Sequence, residues 1–130
     1  MQFNINNASD KPIYQQIIAQ VKRDIALGKL AKDEKLPTVR QLAAQLAINP
    51  NTIAKAYNML EQEGIIFTKP GAGTYVASLD STLSKSVRKK IVCDELEQLI
   101  IEAVHMQIDK KTLDEWFTER VEKFYSGRRE

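Results

Sequence analysis

A single cysteine, Cys93, and a single histidine, His105, bound the covalent and inorganic chemistry open to this chain. Cys93 has no partner for an intramolecular disulfide and no visible activating neighbour, and two such residues are too few for a metal site built from several His or Cys ligands. A Gly-rich phosphate loop, a nucleophile elbow and metal-ligand spacing are all missing from the sequence, so no catalytic residue, cofactor or metal is expected and the chain does not read as an enzyme. The side chains that remain offer hydrogen bonds and charge, the chemistry of recognition. Two local spacings already use it. Thr38 stands three residues before Gln41, the capping-box spacing in which each side chain satisfies a free backbone N–H at a helix start. Asn49 precedes Pro50, a favoured N-cap followed by a residue that loses no helical hydrogen bond at the first position.

The chain that must position these groups has 130 residues, 43% hydrophobic and 28% charged. That length allows at most two small compact units, and that composition argues against disorder, a collagen-like repeat or a membrane protein. No apolar run approaches the ~18 residues of a spanning helix. The start, Met1-Gln2-Phe3-Asn4-Ile5-Asn6-Asn7, lacks the basic and apolar regions of a signal peptide, so a cytoplasmic location is expected. Net charge is only +2, and residues 1–77 carry nine Lys and Arg against six Asp and Glu, with ten against eleven in residues 78–130. This asymmetry is too small to define a binding surface by itself.

Apolar residues Ile13, Ile17, Ile18, Val21 and Ile25 recur at helical spacing and predict a helix from Pro12 to Leu27, stopped by Gly28. A polar loop, Lys29 to Lys35, leads to a short second helix that Thr38 opens. A third begins at Asn49-Pro50, carries Ile53, Ala56, Tyr57 and Leu60 inward, and ends at Gly64. The runs Ile65–Thr68 and Thr74–Ala77, joined by Lys69-Pro70-Gly71-Ala72-Gly73, predict a β-hairpin. Beyond Ala77, Leu83, Val87, Ile91, Val92, Leu96, Leu99, Ile100, Ala103 and Met106 form one long helical stripe, with Asp80 or Ser81 as its cap. A last helix after Asp109 turns Leu113, Trp116, Phe117, Val121, Phe124 and Tyr125 inward and ends near Gly127. The expected fold is mainly α with a small β-hairpin: a winged helix-turn-helix over residues 1–77 and a two-helix dimerisation region over 78–130. In such a fold the third helix enters the major groove, the second crosses the backbone, and the hairpin is the wing.

Five segments carry a resemblance: Pro12–Ile17, Leu36–Ala43, Asn49–Tyr57, Leu60–Gly64 and Gly71–Val76. In that order they resemble the GntR family of bacterial transcription regulators, over about residues 10–77. The short helical tail is similar to the YtrA subfamily, whose members have two helices in place of a large effector domain and dimerise through them. The resemblance implies that Thr38 and Arg40 meet the DNA backbone and base edges, and that Asn49, Asn51, Thr52 and Lys55 are recognition-helix positions facing phosphates or bases. It also implies that Lys69, Gly71 and Gly73 of the wing reach the minor groove or flanking phosphates. Tyr57 reads as either a backbone contact or a core residue. Pro50 and Ala54 stand where better-known branches often carry Arg, so the base code of those branches does not transfer.

The partners expected are double-stranded operator DNA and a second copy of the chain, joined through Leu96, Leu99, Ala103, Trp116, Phe117 and Phe124. An inverted-repeat operator follows from that symmetry, and repression by blocking a promoter is then the simplest output. An effector, if one exists, would bind at the dimer interface, because some fifty residues cannot enclose a pocket of ~300 Å³ and keep a core. The alternative reading is a protein-interaction module built on a winged helix. Arg88-Lys89-Lys90 reads as solvated helix surface and His105 as packing or surface.

Overall fold

The structure, a computed structural model, describes residues 3–79 and 81–125. Of the two caps expected for the long helix, Asp80 falls outside that description, as does the stop near Gly127. In chain order the elements are α1 (Ile13–Ala26), β1 (Lys35–Leu36), α2 (Val39–Leu46), α3 (Pro50–Gln62), β2 (Ile66–Lys69), β3 (Gly73–Val76), α4 (Ser81–His105) and α5 (Lys110–Tyr125). Among the described residues, no helix is long and apolar enough to cross a membrane.

Local chemistry sets the helix ends. Beyond α1, the N–H of Lys29 reaches the Asp24 carbonyl at 2.8 Å and that of Gly28 reaches Ile25 at 3.1 Å, the paired bonds of a left-handed helix stop. The same pair recurs beyond α3, from Ile65 to Leu60 and from Gly64 to Glu61. It also closes α2, where the left-handed position is Ala47 at φ +53° instead of a glycine.

The hairpin is one part of a three-stranded antiparallel sheet in the order β1-β3-β2. Lys35 pairs with Tyr75 and Leu36 with Thr74, so the polar loop ends in a strand that the sequence reading did not anticipate. Two residues are too few to show alternation. They are recruited because β3, paired with β2 on one side, offers a second edge, and because Leu36 buries all but 2% of its surface there.

By compactness the chain divides into residues 1–91 and 92–130. The expected boundary after Ala77 differs from this division because Leu83, Val87 and Ile91, on the first turns of α4, pack against the core of the first unit. That core is closed. Ile17 and Val21 of α1, Leu42 of α2, and Ile53, Ala56 and Leu60 of α3 have no exposed surface, and Leu36, Ile66 and Val76 supply the sheet's inner face. Each large side chain among them contributes about 1.5–3 kcal/mol by leaving water.

In α4 the apolar residues do not form one stripe. Leu83, Val87 and Ile91 share one face, whereas Val92, Leu96, Leu99 and Ala103 lie about 150° around the helix from them, at 3.6 residues per turn. The change of face coincides with the boundary between the units. Among the described residues of the second unit only Ala103 is buried, at 3% exposure, and α5 buries none of its residues. Trp116 and Phe117, expected to face inward, are 48% and 49% exposed and Phe124 is 67% exposed. Leu99 is open as well, Leu96 is half-buried, and Ala103, placed with them as an interface residue, is already covered within its own chain.

Candidate nucleic-acid interface

The α2–turn–α3 hairpin is held by caps whose remaining valences face outward. Thr38 Oγ1 accepts from the Gln41 N–H and Gln41 Oε1 accepts from the Thr38 N–H, both at 3.0 Å. At the next start Asn49 Oδ1 accepts from the Asn51 N–H at 2.8 Å. Each cap uses an oxygen lone pair, so the Thr38 hydroxyl proton and the two Asn49 amide protons can still be donated. Arg40, at the second position of α2, is exposed and forms no ion pair among the described residues.

The core residues of α3 leave Asn51, Lys55, Asn58 and Gln62 on its exposed side. Thr52 is half-buried beside them. Asn58 was not singled out from the sequence, although its spacing from Asn51 and Lys55, at steps of four and three, carries the signal. Two contacts brace this helix from α1: Lys22 Nζ donates to Glu63 Oε1 at 2.8 Å, and the Lys55 ammonium lies 3.9 Å from the centre of the Tyr14 ring.

Tyr57, one of the expected DNA contacts, lies in the core with 5% exposure. Its hydroxyl donates to the Pro37 carbonyl at 2.7 Å, which fixes the segment just before Thr38 and Arg40. Burial pushes its phenol well above the usual tyrosine range. The residue therefore acts on the exposed groups through the backbone it holds.

At the wing tip, Ala72 N–H donates to the Lys69 carbonyl at 3.0 Å around Pro70 and Gly71, whose φ of +78° completes a type II turn. Gly71 projects into open space. Gly73 does not: a Cβ there would stand 2.8 Å from Lys35 Cε, so the missing side chain makes room for a lysine of β1. Phe67 and Tyr75 stack at 5.7 Å, and the Lys69 ammonium lies 5.8 and 5.2 Å from their ring centres. Cross-strand register sets Lys35, expected in the polar loop, on this same outer face as a second cation. The exposed features of the first unit are thus a helix pair bearing Arg40, Asn51 and Lys55, and a wing bearing Lys35 and Lys69. Together they provide donors and positive charge, suited to phosphate oxygens and base edges.

Comparison with known proteins points the same way. The family model described as "Bacterial regulatory proteins, gntR family" matches residues 13–76. The chain is 41% identical over 115 residues to the HTH-type transcriptional repressor YtrA of Bacillus subtilis strain 168, covering 88% of each protein. Among solved structures, a GntR family transcriptional regulator from Listeria monocytogenes superposes with a TM-score of 0.70 at 32% identity, covering 88% of this chain and 98% of that one. The DNA-binding domain of AraR, solved in complex with operator ORX1, superposes with a TM-score of 0.52 at 29% identity over 59% of this chain and 96% of that one.

Proposed function

The chain belongs to the GntR family of bacterial regulatory proteins, transcription regulators with a winged helix-turn-helix DNA-binding domain, and on that premise we propose that it acts as a homodimeric repressor on an inverted-repeat operator. The observation that carries the proposal is the contrast between a closed winged unit, whose helix pair and wing present donors and cations, and a second unit whose aromatic side chains are half or more exposed. Four half-exposed aromatic residues, Trp116, Phe117, Phe124 and Tyr125, amount to roughly 400 Å² of open surface at the 150–250 Å² each can bury. Open apolar surface of that extent is often functional. A second copy covers it by two-fold symmetry, which sets two winged units against half-sites in inverted orientation.

In this reading Arg40 and Thr38 anchor α2 on the backbone, Asn49, Asn51, Thr52 and Lys55 enter the major groove with α3, and Lys69, Gly71 and Gly73 bring the wing to the flanking phosphates. Gly73 serves there through the lysine that it admits. Leu96, Leu99, Trp116, Phe117 and Phe124 form the contact between copies, in the cytoplasm where the chromosome lies, and an effector would bind along that contact. Repression is supported by the named activity of the B. subtilis relative and DNA binding by the AraR–operator complex. Fluorescence anisotropy of the purified protein against the duplex upstream of its own reading frame and a shuffled duplex, at two salt concentrations, tests the proposal. Tighter binding to the native duplex with a steep loss in salt is expected. Absence of binding to either duplex at low salt would contradict it.

A further inference from the structure

We propose that Tyr14 is a positioning residue for DNA recognition: its ring holds the Lys55 ammonium in place on the exposed side of α3 before DNA arrives. The proposal rests on α3 being the recognition helix. Tyr14 is half-buried at the start of α1 and packs against the core of the first unit, so its ring is fixed by the fold. Lys55 is exposed, and its ammonium lies 3.9 Å from the ring centre, nearer than Lys69 lies to either wing aromatic. The two helices cannot drift apart easily, because Ile17 and Val21 share the closed core with Ile53, Ala56 and Leu60 and because Lys22 and Glu63 pair at 2.8 Å.

A free lysine on a helix surface samples many rotamers and loses that freedom when it docks on a phosphate or a guanine. A ring beneath the ammonium removes part of this loss in advance. The attraction of a cation to a π face engages one side of the ammonium only, so N–H groups on the other side stay available to a DNA acceptor. Contact with DNA therefore adds to the ring contact without breaking it. The Tyr14 hydroxyl has a small part: it accepts a long hydrogen bond, 3.3 Å, from Gln15 Nε2.

The test is a double-mutant cycle read on a fluorescein-labelled duplex selected for binding from a random pool, together with the side-chain NMR shifts of the free protein. Tyr14→Leu is expected to weaken binding about two- to fivefold, the range set by an exposed cation–π contact. Tyr14→Phe, which keeps the ring, recovers most of that loss. With Lys55→Ala already in place, Tyr14→Leu adds no further loss. In the free protein the Lys55 ε-methylene protons are shifted upfield by the ring, and the shift disappears in Tyr14→Leu but survives in Tyr14→Phe. An equal loss in the Phe and Leu variants, a Tyr14→Leu loss that persists without Lys55, or an ordinary Lys55 shift overturns the positioning role and leaves DNA binding standing. Failure of the unsubstituted protein to enrich any duplex overturns the recognition-helix reading, and this proposal with it.

Discussion

Residues 3–79 with the first turns of α4, and residues 92–125, treat similar side chains in opposite ways. In the first unit Ile17, Leu42, Ile53 and Leu60 lose all contact with water, and the surface is mainly polar, with amides, hydroxyls and charges of both signs beside the exposed Leu27 and Met59. In the second, Leu99, Ile100, Trp116, Phe117 and Phe124 are each about half or more exposed, and Ala103 alone is buried. A helix that stays apolar on its open face costs solubility without adding to the stability of its own chain. The first unit thus closes its core with its own residues, whereas the second leaves most of its apolar side chains open to solvent.

The strongest challenge to that contrast is a deletion in each unit. Ile53→Ala, in the closed core, should lower the free energy of unfolding by about 2–5 kcal/mol in chemical denaturation. Trp116→Ala should instead act on association, weakening the dimer by at least ~2 kcal/mol in sedimentation equilibrium, as a buried aromatic anchor does. If Trp116→Ala left self-association intact, the second unit would need another explanation. Arg40→Ala sharpens the outer boundary of the first unit: it should weaken duplex binding by about 1.5–3 kcal/mol, the worth of a charge-assisted hydrogen bond, with the denaturation midpoint unmoved.

Smaller effects probe the joints. Tyr57→Phe removes the donor to the Pro37 carbonyl, at a cost of about 1 kcal/mol near neutral pH. The folded phenol titrates well above its unfolded value of about 10, so the stabilisation is fully present below pH ~10 and fades as pH rises beyond it, when the unfolded chain alone gives up the proton. Denaturation curves across pH 8–11 should therefore show the wild-type advantage over Tyr57→Phe shrinking at the alkaline end. Ala47→Gly and Gln107→Gly relieve left-handed positions at φ +53° and +61°, one in each unit. Each should add about 0.5–1 kcal/mol, measurable as a raised melting temperature, and a gain at neither position would put the turn geometry in doubt.

Much of the winged unit could be read from its residues because single side chains decide its local geometry. Thr38 with Gln41, Asn49 with Pro50, Gly28, Gly64 and the Pro70-Gly71 turn each fix a helix end or a chain reversal without help from distant parts. What escaped depends on long-range placement. β1 exists only because β3 offers an edge, and Lys35 became a wing residue through that pairing. Tyr57 belonged to either side of α3 until the Pro37 carbonyl claimed its hydroxyl. The Lys55–Tyr14 contact joins residues forty-one positions apart in the chain. In α4 a run of apolar residues looked continuous, and only the packing of Leu83, Val87 and Ile91 separates the face used within the first unit from the face left open.

On the proposed function two winged units act together on DNA because the open helical units join them. Sedimentation velocity of the protein with a duplex footprinted upstream of its own reading frame tests it most directly, comparing the full site with a duplex cut to one half. Two protomers per full site, with binding to the half-site weakened by orders of magnitude, is the predicted result. One protomer per duplex, with equal affinity for the full and half sites, would contradict it.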